Sequence, residues 1–244
     1  MSINNGSDVY NGADKQTNFT DFSENVVLPL KVDSNGKLTN NGESITATGS
    51  NAWAEGGGTK ATGYRSHAEG NNTTASNNFS HAEGTGTEAT GYQAHAEGST
   101  TKATGASSHA EGTGTEATGS RSHSENGYTK AIGENSHAEG NYTIARGNHS
   151  HAEGSACEAN GMRSHAGGNT SLANATDAFV HGNGLITTSN NCFVIGKYNV
   201  DEPAYFIIGD GTDENNRKNI FKIDKSGDVW IMYNGVLTKL STLL

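Results

Sequence analysis

The pentapeptide Ser-His-Ala-Glu-Gly recurs intact at 66–70, 80–84, 108–112, 136–140 and 150–154, with near copies at 94–98 and 122–126. Each copy begins 14 residues after the one before it. Between copies stands Thr-x-Ala-Thr-Gly, as at 59–63, 87–91, 101–105 and 115–119. The unit is a heptad, x-x-[Ser/Thr]-x-Ala-x-Gly, in two alternating forms. It runs from Glu43 to Gly196 without an insertion, as 22 heptads in 11 pairs. A repeat this strict describes one small unit stacked on itself.

Position 5 is Ala in 18 of the 22 heptads, and position 3 is small except at Ile45 and Leu185. In a strand, positions 3 and 5 share one face and positions 4 and 6 the other. The 3/5 face must therefore look into a space too narrow for Leu or Phe. Position 7 is Gly in 18 heptads and Asn at Asn77 and Asn126, residues that tolerate positive φ, so it reads as a corner. Gly70, Gly84, Gly98, Gly112, Gly140 and Gly154 are corner glycines on this reading. Glycine every seven residues and abundant Thr oppose a helix. The expected object is an all-β parallel roll, two short strands per 14-residue turn, about 50 Å long for 11 turns at the usual strand spacing.

Composition agrees. Only 32% of the 244 residues are hydrophobic and 33 are glycine, too little for an ordinary thick core. The net charge of −10 argues against a nucleic-acid or anionic-membrane partner. No apolar run approaches a membrane span, so no membrane insertion is expected. The opening Met-Ser-Ile-Asn-Asn-Gly-Ser-Asp lacks the basic and apolar regions of a signal peptide, which predicts release by another route. Cys157 and Cys192 both fall on position 3, two and a half turns apart, and read as small core fillers too distant to bridge.

Three segments follow. Residues 1–42 read as an N-terminal attachment or capping segment, mobile over 1–20 and with strand, tight turn and strand over 26–39. Residues 43–196 are the roll. Residues 197–244 leave the heptad and read as a C-terminal cap, with a hairpin from Phe221 to Tyr233 whose aromatics cover the open end.

The outward face of the first form is the informative one. Position 4 is His at His67, His81, His95, His109, His123, His137, His151 and His165. It becomes aromatic at the ends, with Trp53 before the histidines and Phe179 and Phe193 after them. Position 6 carries Glu55, Glu69, Glu83, Glu97, Glu111, Glu125, Glu139 and Glu153, and Ile195 in the last turn. Aromatics in register with histidines indicate a covered face. The cheapest cover for a thin rod is another copy of the chain. The outward positions of the second form vary without a rule and read as solvated surface.

The x-x-Ser-x-Ala-x-Gly phrase at a 14-residue period resembles the head repeat of YadA-type trimeric adhesins, a left-handed parallel β-roll, and Asn191-Cys192-Phe193-Val194-Ile195-Gly196 is close to that family's apolar inner strand. The Ser-His-Ala-Glu-Gly variant also resembles repeats in tail and neck-appendage proteins of phages of Gram-positive bacteria, as do Phe206–Thr212, Asn216–Phe221 and Asp224–Val229. The resemblance spans roughly 45–230. It implies a homotrimer whose inner strands, here the His/Glu strands, face the threefold axis. It implies a structural and host-attachment fibre or spike segment on a virion or tail-like particle. Its partners would be other particle proteins through the N-terminal segment and a host cell-surface receptor, with glycans among the candidates. The alternative is the head of a bacterial surface adhesin.

Two further readings attach to the ladder. His and Glu of neighbouring copies would hydrogen-bond across the interface, a pairing that favours the imidazolium. Three imidazoles around an axis would bind a transition metal, although no H-x-x-x-H spacing occurs. Catalysis is not expected, because an active site needs one differentiated constellation and every turn here repeats the same residues. No cofactor is expected either. A Thr column at Thr48, Thr62, Thr90, Thr104 and Thr118 raises ice binding, but Ser76, Ile132 and Arg146 interrupt it. No aromatic platform singles out a receptor site.

Overall fold

The computed structural model describes residues 9–11, 14–16, 30–32, 38–40 and 43–243. It is a parallel β-solenoid with a 14-residue turn. Each turn contributes one strand to each of two sheets. The long sheet takes the Ser-His-Ala-Glu-Gly strands, from Trp53–Gly57 and His67–Asn71 to Phe193–Lys197. The short sheet takes two-residue strands of the second form, from Thr46–Ala47 to Ile186–Thr187. Neighbours pair in parallel and in register, so His81 lies beside His67 and His95, and Glu83 beside Glu69 and Glu97.

Ser, Thr and Ala fill the space between the sheets. Ala68, Ala82, Ala96 and Ala110 are fully buried, as are Thr59, Thr73, Thr87 and Thr101. The serine of each pentapeptide has a further task. Ser66 Oγ donates to the carbonyl of Gly63 at 2.8 Å, and Ser108 Oγ to that of Gly105 at 2.8 Å, adding a second bond to a turn carbonyl that already accepts from the serine's own N–H at 3.2 and 3.3 Å. Toward the C-terminal end the interior thickens to Val180, Leu185, Val194 and Ile207. Cys157 and Cys192 are buried free thiols, and burial holds both above the ordinary thiol range, so they stay protonated filler.

Glycine at position 7 does two jobs, only one of which was expected: in both forms it leaves room for a carbonyl of the next turn, and in the first form it also takes positive φ. Gly70, Gly84, Gly98, Gly112, Gly140 and Gly154 have φ between +91° and +107°. Four of them, Gly70, Gly84, Gly98 and Gly112, lie inside five-residue strands rather than at a turn, and kink the strand before the chain turns. The glycines of the second form, such as Gly91 and Gly105, do not have positive φ. A Cβ on Gly91 would stand 2.0 Å from the Gly105 carbonyl oxygen in the next turn, so close stacking requires them. The left-handed corners lie at position 2. Arg65, Phe79, Gln93, Ser107 and Arg121 have φ from +53° to +59° in the first form, and Asn72, Thr100, Tyr128 and Tyr142 from +52° to +57° in the second.

The parallel ladder continues one strand beyond the heptads. Ala204–Asp210 pairs with Phe193–Lys197, placing Phe206 beside Phe193 across a 13-residue step. The sheet then turns antiparallel through Asn219–Asp224, Val229–Tyr233 and Val236–Lys239. The short sheet ends one strand earlier, at Ile186–Thr187, and the Asn199 side chain stands in for its next strand. Its amide donates to the Ile186 carbonyl and accepts from the Ile186 N–H, both at 2.8 Å.

Near the N-terminus Leu30–Val32 pairs antiparallel with Leu38–Asn40, within a five-stranded antiparallel sheet that ends at Glu43–Ser44. Of residues 1–20, for which mobility is expected, only 9–11 and 14–16 are described, and these pair as antiparallel strands; the turn expected over 33–36 lies outside the described residues. Among the described residues no helix is long and apolar enough to cross a membrane.

Candidate functional site

In-register parallel stacking puts like on like. The imidazoles of His67, His81, His95, His109, His123, His137 and His151 form one continuous stack, with ring centroids 4.7–4.9 Å apart and planes within 6° of parallel. Phe179, Phe193 and Phe206 extend the column at 4.6 and 5.5 Å. Trp53 stands in register with His67 at the other end and is 64% exposed. The glutamates stack likewise, and Glu55, Glu69, Glu83, Glu97 and Glu111 line a shallow groove along the sheet. Ile195 takes the glutamate place in register with Ile208.

Because each residue's axial neighbour is its own kind, the attractive contacts are diagonal. Six of the histidines meet the glutamate twelve residues earlier, and His81 lies as near to Glu83 of its own strand, at 3.9 Å. The Nε2–Oε1 distance is 4.0 Å for His81–Glu69, 3.7 Å for His109–Glu97 and 3.4 Å for His123–Glu111. It closes to hydrogen-bonding distance at His137–Glu125 and His151–Glu139, both 3.0 Å, and His165–Glu153, 3.2 Å. These pairs lie within one chain, whereas the sequence pattern suggested pairing between copies. Nε2 of His67, His81, His95, His109 and His123 is shielded from solvent and has no hydrogen-bond partner among the described residues.

Within one chain the glutamates favour the imidazolium but are outweighed at several histidines. His81, His95 and His109 are held below the ordinary value of 6.5, first by burial and then by neighbouring imidazoles, which together outweigh the glutamates. The folded chain thus binds fewer protons than the unfolded chain just below pH 6.5. Stability from these residues is complete above that pH and falls as acid protonates the unfolded chain first. Glu111 is held below 4.5, first by its neighbour Glu97 and then by His109 and His123. Thermal melts should give a lower midpoint at pH 5.5 than at pH 8, and an equal or higher midpoint in acid would contradict the account.

Histidine stacking ends at His165, whose ring stands at 76° to that of His151. Here the repeat itself changes. Position 6 is Gly167 instead of Glu, and His181 fills that position one turn later. His181 Nδ1 lies 3.4 Å from Glu153 Oε1, which also receives His165 Nε2. His181 and Gly167 were not among the residues the repeat singled out. The signal that marks them is the break in the glutamate column.

Stacking also assembles a row of exposed aromatics that the sequence pattern scatters over two heptad positions. Tyr64, Phe79 and Tyr92 meet edge to face at 5.5 and 5.9 Å on the turns between the sheets. The Arg65 guanidinium lies 5.0 Å from the Tyr64 ring. On the opposite turns Tyr128 and Tyr142 stack at 5.1 Å. The Thr column is exposed at Thr48, Thr62, Thr104 and Thr118 and half-buried at Thr90. No known family model matches the chain, and no curated protein matches it.

Proposed function

We propose that this chain is a structural and host-attachment segment of a fibre or spike on a phage tail or tail-like particle, assembled as a homotrimer with the His/Glu/aromatic strands toward its axis. One observation carries the assembly: the in-register column is only half-buried along its length and ends in exposed aromatics, Trp53 at 64% and Phe193 at 40%. Aromatic surface left open in register with a repeating strand marks an interaction face. A partner able to cover it turn after turn must share the 14-residue period, and a second copy of the chain does. Resemblance of the Ser-His-Ala-Glu-Gly repeat to phage appendage repeats supports the particle reading. A stacked-strand rod suits a spacer that holds a tip away from a particle.

Receptor contact falls outside the axial strands. The Tyr64–Phe79–Tyr92 row offers exposed ring faces on the turns, the kind of surface on which a sugar ring packs.

Light scattering at neutral pH tests the assembly. One chain is 25.4 kDa, so three give 76.2 kDa. A mass of one chain overturns the trimer. Labelled protein applied to intact Gram-positive cells tests attachment. Tyr92→Ala should reduce bound signal at least fivefold if the row takes part, at unchanged mass. Trimeric protein that binds no cells tested would leave the rod role and remove the attachment role.

A further inference from the structure

The one irregular turn of the ladder has the makings of a metal centre. Glu153, His165 and His181 each offer one donor atom, and the three donors lie within 4.8 Å of one another. Glu153 Oε1 is 3.2 Å from His165 Nε2 and 3.4 Å from His181 Nδ1. Ligands at the usual bond lengths of about 2.0–2.2 Å around a tetrahedral ion lie roughly 3.4 Å apart, so two edges of the polyhedron are already close to set.

Ring orientation separates this turn from the rest. In the regular column His123 and His137 stack at 4.9 Å with planes 2° apart. Their in-plane lone pairs run side by side and cannot converge on one ion. His165 has left the stack, and its ring and that of His181 are inclined at 45° with centroids 6.3 Å apart. Gly167 makes the space. A Cβ there would stand 2.5 Å from His181 Nδ1 and 2.9 Å from Glu153 Oε1, so the glutamate found at this position in earlier turns would fill the point where the donors meet. The side chains are 32%, 26% and 51% exposed for Glu153, His165 and His181, which leaves an entry path and room for water on the remaining positions.

We propose that Glu153, His165 and His181 form a two-histidine, one-carboxylate site for a divalent transition metal such as Zn²⁺ or Co²⁺, one ion per chain. Imidazole nitrogen and carboxylate oxygen together suit these ions. The site is built by a single chain and does not depend on the fibre reading or on the number of copies.

The test uses the full chain without a histidine tag. Co²⁺ is titrated and followed by its visible absorption, and Zn²⁺ by calorimetry. One ion per chain is expected. His181→Gln should weaken binding at least tenfold. Gly167→Ala should do the same without removing a ligand, and φ at Gly167 poses no obstacle to alanine. His95→Gln, in the regular stack, should bind like the unmodified chain, and its circular dichroism serves as the folding comparison. No saturable binding, equal losses in His95→Gln and His181→Gln, or one ion per three chains would each overturn the site. A monomeric chain that still binds one ion would sink the trimer and leave the site standing.

Discussion

Gly105→Ala is expected to lower stability by about 4 kcal/mol, at the upper end for a single substitution. The added Cβ would stand 2.0 Å from the Gly119 carbonyl oxygen, 2.5 Å from its carbon and 2.9 Å from the Thr118 oxygen. All three are backbone atoms, so no rotamer change relieves the overlap. Relief requires the turns to part, which strains the bonds from Thr104 N–H and Gly105 N–H to the Ala117 carbonyl at 2.9 and 3.3 Å. In a stacked repeat each turn contacts only its neighbours, so a parted turn divides the rod into two weaker halves. Urea denaturation followed by circular dichroism reads the loss, and a second transition marks the division. Ser107→Gly, two residues away, makes the comparison. Ser107 has φ +55°, so glycine there relieves left-handed strain while adding unfolded-state entropy. The two effects offset, and a change within about 0.5 kcal/mol is expected. If Gly105→Ala melts with Ser107→Gly, close stacking is not what glycine provides.

Asn199→Ala should cost about 3 kcal/mol, localised at the C-terminal end. Asn199 is fully buried, and its amide satisfies both the N–H and the C=O of Ile186 on the last strand of the short sheet. Alanine leaves two buried backbone groups without partners, each costing about 1–3 kcal/mol. Asn199→Asp separates this explanation from lost volume. A carboxylate accepts from the Ile186 N–H but offers the Ile186 carbonyl no donor, so Asp should also destabilise despite its near-identical shape. Hydrogen exchange locates the damage: the Ile186 amide should exchange faster while the Thr74 amide, eight turns away, keeps its protection. Unchanged protection at Ile186 would show that another group has taken over the edge.

Much of this architecture is legible in the chain. A strict 14-residue period, Ala at position 5 and Ser or Thr at position 3 require a thin interior, because an inward face that never admits Phe has no room for it. The same period predicts two strands per turn, and residues 14 apart stack as their identity suggests, His on His and Glu on Glu. Cys157 and Cys192 follow the rule as small interior residues.

Three features do not follow from the period. Glycine at position 7 looks alike in both forms, and in both a carbonyl of the next turn stands where a Cβ would be, at 2.1 Å for Gly70 and 2.0 Å for Gly91, yet only Gly70 also takes φ +107°. Local pattern cannot show the shared constraint, because it is a distance between turns. The left-handed corner at position 2 was partly advertised by Gly58, Asn72, Gly86 and Asn135, but Arg, Phe and Tyr at the same position hid it.

Charge on the histidines is the third. Glu beside His on paper suggests an imidazolium. Stacking instead sets the ladder imidazoles against one another and half out of water, and for His81, His95 and His109 that balance favours the neutral ring. Repetition thus encodes period, strand phase and interior size, because these depend on residues near in sequence or related by the repeat. Which glycine is indispensable, which ring leaves the stack at His165 and which state the histidines adopt are settled by distances between turns, where packing and desolvation act.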